Sequence, residues 1–252
     1  MRSAPDPVVR RNREYDPFAD LYNRFWGKEY RASATPVIEH LLLSALKPGA
    51  SVLDVCCGTG QFAATLLAKG FEVTGVDASG KMIRHARRNA RGARFKVADV
   101  RNFDLGQRFD AAMCVFESLN HIPDAEGLLL AFRSIRRHLR PRARFLFDLV
   151  GRATYRRNWN ATHSIVEDDL ICGIRLRFDD ATAVGTCNIA VIERSPIWQR
   201  RDFVLQQYCH DDSVVSDAIR TAGFRDVSLH AARDLGMPPS LGVDRTFWLL
   251  TA

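Results

Sequence analysis

No apolar run in this 252-residue chain approaches the length needed to span a bilayer. HLLLSAL (40–46) is too short, and residues that punctuate helices bracket it. The first residues, MRSAPDPVVRRNR, are basic and contain proline but no apolar stretch, so a mobile tail is expected over the first dozen rather than a secretory leader. The six cysteines include no spaced pairs of the kind that hold a metal ion, so no metal site is expected. Cys56 and Cys57 are adjacent on an expected strand and the other four are scattered, a usage that suits reduced thiols in a cytoplasmic protein. Internal repeats and low-complexity segments are absent. The excess of positive charge, +7, is a weak pointer to nucleic acid. Its arginines sit in stretches such as RHARRNARGAR (84–94) and RSIRRHLRPRAR (133–144), which read as solvated helix faces.

What is present is ample core material, 46% hydrophobic residues, in an ordered alternation. Pro36 opens a helix, VIEHLLLSAL, that stops at Lys47-Pro48-Gly49. SVLDVCC is a strand, followed by a glycine turn and the helix QFAATLLAKG. FEVTGVDAS, ARFKVADV, FDAAMCVF and RARFLFDLV are four more strands, the last beginning after Pro141, and KMIRHARRNA and AEGLLLAFRSIRRHL are helices between them. This order implies an α/β fold: a Rossmann-like, seven-stranded, mostly parallel sheet with helices on both faces. From about 163 to 207 the pattern becomes apolar-polar alternation, as in LICGIRLRF and TCNIAVIER, which reads as an inserted antiparallel β subdomain. A helix, DDSVVSDAIRTAGF, with Asp211 or Asp212 as N-cap, and two strands, FRDVSLHA and RTFWLLTA, close the fold. The expected divisions are 1–35 (tail and aromatic segment), 36–150 (core), 151–210 (inserted strands) and 211–252 (closing helix and strands).

Chemistry concentrates at the expected ends of the first three strands. GTGQFA fits the G-x-G-x-x-G/A turn of dinucleotide-binding folds. The turn Gly58-Thr59-Gly60 would let a ligand approach bare backbone. Asp54, however, lies four positions before Gly58, where an ionised carboxylate would oppose a pyrophosphate, so NAD fits poorly. Asp77 ends the second strand, where it could accept from both ribose hydroxyls. Asp99 and Val100 follow the third, where a carboxylate and a backbone N–H could meet an adenine. A nucleoside bearing positive groups and no phosphate suits this set, and S-adenosylmethionine is such a molecule. Each acid alone also reads as a helix or loop cap; three at successive strand ends, beside the glycine turn, favour a ligand.

With these motifs the chain resembles the class I S-adenosylmethionine-dependent methyltransferases. LDVCCGTG is similar to their cofactor loop, with Cys56 where glycine is frequent; VTGVDAS is similar to their ribose motif and FKVADVRNF to their adenine-side motif. EYDPFADLYNRFWGKEY (14–30) and FESLNHI (116–122) resemble the N-terminal lid and the post-strand-4 motif of small-molecule members, including sugar N,N-dimethyltransferases. The resemblance implies that Tyr22, Tyr30, Ala78, Met82 and Phe116 join Asp54, Gly58, Gly60, Asp77, Asp99 and Val100 around the cofactor. It also implies that Tyr15 stands near the reacting centre, with His121 as candidate base near its ordinary pKa of about 6.5. The inserted strands would then wall the acceptor.

Plainer readings stand beside these. The 15–30 aromatics could form the packing face of an amphipathic helix, His121 could cap the helix after Pro123, and Glu117 is either a partner for a substrate ammonium or a solvated acid. An RNA substrate would call for a flipped-base motif after the fourth strand. That region holds no N/D-P-P-Y/F stretch, and no Pro-Cys nucleophile is found. A non-catalytic cofactor-binding scaffold is a further alternative. The sequence leaves the acceptor, N- versus O-methylation and the oligomeric state open, a homodimer included.

Overall fold

The computed structural model describes residues 15–194 and 196–252, so the expected tail lies outside the described residues. After a short turn at Asp16–Phe18 come helices α1 (Ala19–Phe25) and α2 (Lys28–Leu41). The core then runs β1 (Ser51–Val55), α3 (Gln61–Ala68), β2 (Glu72–Asp77), α4 (Gly80–Asn89), β3 (Arg94–Val97), β4 (Phe109–Cys114), α5 (Ala125–Arg137) and β5 (Leu139–Leu149). A short helix, α6 (Arg152–Asn158), leads to β6 (Thr162–Glu167), β7 (Leu170–Asp179), β8 (Val184–Arg194) and β9 (Trp198–Tyr208). Helix α7 (Asp212–Thr221), β10 (Arg225–Ala231) and β11 (Thr246–Thr251) complete the chain.

Seven strands form one sheet in the order β10-β11-β5-β4-β1-β2-β3, and four form another in the order β6-β7-β8-β9. In the first, β1 to β5 pair in parallel and β11 runs antiparallel to both β5 and β10. The chain winds outward from β1 to β2 and β3 on one side and returns to β4 and β5 on the other. The switch point between β1 and β4 opens a crevice at the strands' carboxyl ends. Val52, Leu53 and Val55 are fully buried, as a strand covered on both faces requires.

Three elements depart from the sequence reading. Pro36 does not open a helix; it lies inside α2, which begins eight residues earlier. The helix continues past the missing N–H because Tyr30, Ala34, Val37, Ile38 and Leu41 bury one continuous face across it. Pro141 lies inside β5, where the register jumps from Phe109↔Leu139 to Ala111↔Arg144 and Arg142 takes a left-handed conformation, φ 66°. A bulge of this kind lets proline sit in a strand. The first strand ends at Val55, so Cys56 belongs to the turn, with φ 55°. Asp211 occupies the N-cap of α7 but its side chain makes no capping bond.

The four-stranded sheet buries one face, and the N-terminal aromatic segment covers it. Phe18 and Leu21 pack with Leu170, Cys172, Ile174, Ile189, Val191 and Leu205 as a separate cluster. Polar contacts tie the same segment to α4: Asp16 accepts from the Ser79 hydroxyl at 2.6 Å, and Asn89 donates to Asn23 at 2.7 Å.

Gly60 shows how the turn is fixed. It has φ 75°, and a Cβ there would lie 2.8 Å from the Ala86 backbone of α4. At Gly58, φ 52°, an added Cβ would meet only the Tyr22 ring, at 3.7 Å. Gly60→Ala is therefore expected to cost about 1–3 kcal/mol in urea denaturation, and more than Gly58→Ala, which carries only the backbone penalty. Equal losses in the two variants would show that helix packing does not require Gly60.

Candidate active site

A cavity of about 640 Å³ fills the space between the crevice and the four-stranded sheet, within the usual range for small-molecule sites. Of the sequence-predicted residues, Tyr15, Tyr22, Gly58, Asp77, Ala78, Met82, Asp99, Val100, Phe116 and His121 line it. Tyr30, Asp54 and Gly60 do not. Gly60 is taken up by the contact of α3 with α4. Tyr30 is a supporting residue: 1% exposed, it stacks on Phe116 with ring centroids 4.2 Å apart. Asp54 lies beneath the turn, 2% exposed, and its Oδ2 has no hydrogen-bond partner.

The turn and β2 are joined through Asp77. Its Oδ2 accepts from the Gly58 N–H and its Oδ1 from the Ser79 N–H, both at 2.9 Å, which leaves further acceptor sites on each oxygen. Burial pushes the Asp77 carboxyl up to about 6 against those hydrogen bonds. Burial, aided by Asp77, pushes Asp54 up to about 8. Both shifts mark a place short of positive charge. Asp99, past the end of β3, is chelated by Arg101, whose Nη2 lies 2.6 Å from Oδ2.

Tyr15 and His121 meet across the cavity. The His121 Nδ1–H donates to the Gln206 carbonyl at 2.7 Å, so Nε2 is left as the acceptor, 2.8 Å from the Tyr15 hydroxyl and 3.1 Å from the Gln207 amide. Burial lowers the imidazole pKa to about 4, against the hydrogen bond to Gln206, which raises it. The expectation of an unperturbed pKa near 6.5 is corrected accordingly: burial keeps the ring neutral.

Sequence reasoning missed two residues, Asp148 and Arg245. Asp148, fully buried at the end of β5, accepts from the Tyr30 hydroxyl at 3.1 Å, from the Glu117 N–H at 3.3 Å and from Arg245. Arg245 also pairs with Glu117, donates to the Leu241 carbonyl at 2.6 Å and lies over the Tyr30 ring. The signal for Asp148 was a carboxylate in the otherwise apolar run FLFDLV. Phe116 and Glu117 both have left-handed backbone, φ 66° and 43°, an uncommon conformation for such residues. The Tyr30 hydroxyl accepting from the Phe116 N–H at 3.0 Å helps hold it. Glu117 is thus an ion-paired wall residue and not a solvated acid.

Residues 52–142 match the family model described as a methyltransferase domain. The matched segment runs from β1 through α5. Among curated proteins, the chain is 33% identical over 126 residues to dTDP-3-amino-3,4,6-trideoxy-alpha-D-glucopyranose N,N-dimethyltransferase of Streptomyces venezuelae, covering 49% of this chain and 53% of that enzyme. It is 30% identical over 145 residues to dTDP-4-amino-2,3,4,6-tetradeoxy-D-glucose N,N-dimethyltransferase of Saccharopolyspora spinosa, covering 56% and 58%. The chain thus matches little more than half the length of these relatives. The fold extends further. A crystal structure of an S-adenosylmethionine-dependent methyltransferase from Clostridium acetobutylicum superposes with TM-score 0.76 at 20% identity, over 94% of this chain and 98% of that one. The matched segment contributes the cavity wall at the carboxyl ends of β1 to β4; the elements outside it bring Tyr15, Arg245 and the inserted sheet.

Two outcomes follow. An acid whose pKa is raised in the folded state costs stability as pH climbs from its ordinary value, 3.8, to about 8, because the folded chain resists losing the proton. The melting-temperature advantage of Asp54→Asn over the parent should therefore widen between pH 4 and pH 8; a constant gap would exclude the shift. Arg245→Met leaves Asp148 buried without its counter-charge and should cost about 3–5 kcal/mol in urea. Adding Asp148→Asn should recover part of that loss, and no recovery would show that the pair is not what the arginine supports.

Proposed function

We propose that this chain transfers a methyl group from S-adenosylmethionine to a nitrogen or oxygen atom of a small molecule by in-line displacement. The observation that carries the reading is the charge of the crevice. Bare backbone at Gly58 opens onto it, Asp77 and Asp99 stand at its strand ends, and the orphaned Asp54 Oδ2 lies buried beneath. Asp77, ionised above about pH 6, would repel a pyrophosphate there, whereas a cationic nucleoside is complementary to it and favours ionisation of Asp54 as well. The residues present fit that group. Asp77 would accept from the ribose hydroxyls, Asp99 and Val100 would meet the adenine, and the Tyr22 and Phe116 faces would shield the positive end. When bound, S-adenosylmethionine supplies a methyl group activated by a positively charged sulfur.

The chain's own task is alignment, which can contribute much of the rate for a reaction driven by its leaving group. His121, neutral and fixed by Gln206, orients the Tyr15 hydroxyl into the cavity and acts as a positioning residue rather than a strong base. The N-terminal aromatics close the site by packing on the inserted sheet. The small-molecule reading gains support from the sugar-modifying relatives. Among the described residues no helix is long and apolar enough to cross a membrane. The free thiols of all six cysteines support a cytoplasmic setting.

Isothermal titration tests the cofactor assignment. S-adenosylhomocysteine is expected to bind, Asp77→Ala to weaken it at least about tenfold, the scale of roughly 1.4 kcal/mol, and NADH to give no heat; NADH binding in its place would end the proposal. The role of His121 has a separate test by imidazole NMR, where the ring should stay neutral from pH 8 down to pH 5. A midpoint between 6 and 7 would restore it as a base.

A further inference from the structure

We propose that the methyl acceptor is an amine with an apolar body and no phosphate group, seated against the inner face of β7, β8 and β9. This deepens the methyl-transfer reading and rests on it. The register of that sheet places Leu176 opposite Cys187 and Cys187 opposite Leu205, with Ile174 opposite Ile189 in the next row. All five side chains line the cavity. Since successive residues of a strand face opposite ways, this wall is apolar by construction.

Its polar neighbours are already engaged with one another. The Gln206 side chain accepts from the Tyr208 hydroxyl at 3.0 Å, and Gln207 bridges Tyr155 and His121 at 3.0 and 3.1 Å. The cations of the cavity are committed as well: Arg101 to Asp99, and Arg245 to Asp148 and Glu117. Among the described residues, the wall's remaining basic side chains are His121, held neutral, and His163, which is exposed. A diphosphate brought here would shed its water without gaining a counter-ion. The dTDP-linked sugars named for the relatives therefore match this wall poorly, while an aliphatic or aromatic body buries apolar surface against it.

The reacting atom follows from the acid-base groups. A hydroxyl acceptor would have to give up its proton, and the ring nitrogen facing the cavity, His121 Nε2, already accepts from the Tyr15 hydroxyl at 2.8 Å and the Gln207 amide at 3.1 Å. An amine that enters as the free base, its proton left with bulk water, needs no base in the site before it attacks. Its lone pair forms the N–C bond as the S–C bond breaks, the electron pair of that bond stays on sulfur, and the proton of the methylammonium product passes to water after release. Two carboxylates, Glu117 and Asp148, share the single guanidinium of Arg245, so this side of the cavity tolerates the positive product.

The experiment uses the chain saturated with S-adenosylhomocysteine, titrated with 2-phenylethylamine, cyclohexylmethylamine and thymidine diphosphate. At least one amine should bind tenfold or more tightly than thymidine diphosphate, and Leu205→Arg should reverse that order. Amine binding that is equal or weaker, including no detectable binding of any probe, overturns the inference even where S-adenosylhomocysteine binds. Failure of S-adenosylhomocysteine itself to bind overturns the methyl-transfer reading instead. A Leu205→Arg chain that does not fold leaves the parental comparison to decide.

Discussion

The fully buried carboxylate of Asp148 holds the site together. It stands at the end of β5, one strand removed from the switch point of the sheet, and gathers groups from three distant parts of the chain. Tyr30 reaches it from α2, the Glu117 N–H from the turn after β4, and Arg245 from just before β11. A charge this deep survives only when its lone pairs are filled and a counter-charge is present. Those requirements, met together, fix a strained pair of residues, Phe116 and Glu117, in the position from which they wall the cavity. The strain, of order 1–3 kcal/mol for such conformations, is thereby borne by the core rather than left to a free loop.

The second constraint is the partnership between the N-terminal segment and the inserted sheet. A four-stranded antiparallel sheet with one apolar face needs a cover. Here the cover is Phe18 and Leu21, while the polar residues of the same segment, Asp16 and Asn23, bind α4 of the core. The segment therefore contacts helix α4 of the core and the inserted sheet at once, and Phe18 both lines the cavity and covers the sheet.

The strands and helices of the core were legible because burial on two faces leaves continuous apolar runs, and helices on the surface leave a stripe. The glycine turn and Asp77 were legible because backbone conformation and charge there have few structural substitutes. Other features resisted for a common reason: their cause lies far away in sequence. Asp148 and Arg245 are 97 positions apart, and neither stretch shows by its own pattern that the other exists. The resemblance of the 14–30 segment to a lid places Tyr30 on the wall. Only the stack on Phe116 and the bond to Asp148 show that it supports the wall from behind. Pro36 and Pro141 were read as boundaries because proline's local preference says so, and tertiary packing overrode it in both places. Gly60 matched a ligand-binding pattern while serving the approach of α3 to α4.

The buried acids of the crevice connect these points to binding. Burial pushes Asp54 and Asp77 toward the neutral form, with Asp77 adding to the shift of Asp54 and Asp16 to that of Asp77. A cation placed above them lowers the cost of their ionisation, so its binding energy includes relief of a penalty that the fold already carries. An anion in the same place would add to that penalty. Under the proposed function, a preference for a positive nucleoside over a phosphate-bearing one arises from the acids built into β1 and β2, before any specific contact to base or sugar is made. On the side proposed for the acceptor the same logic acts through Glu117 and Asp148, which outnumber Arg245. Under that reading both ends of the cavity disfavour negative charge, and the apolar rows of β7 to β9 set what lies between them.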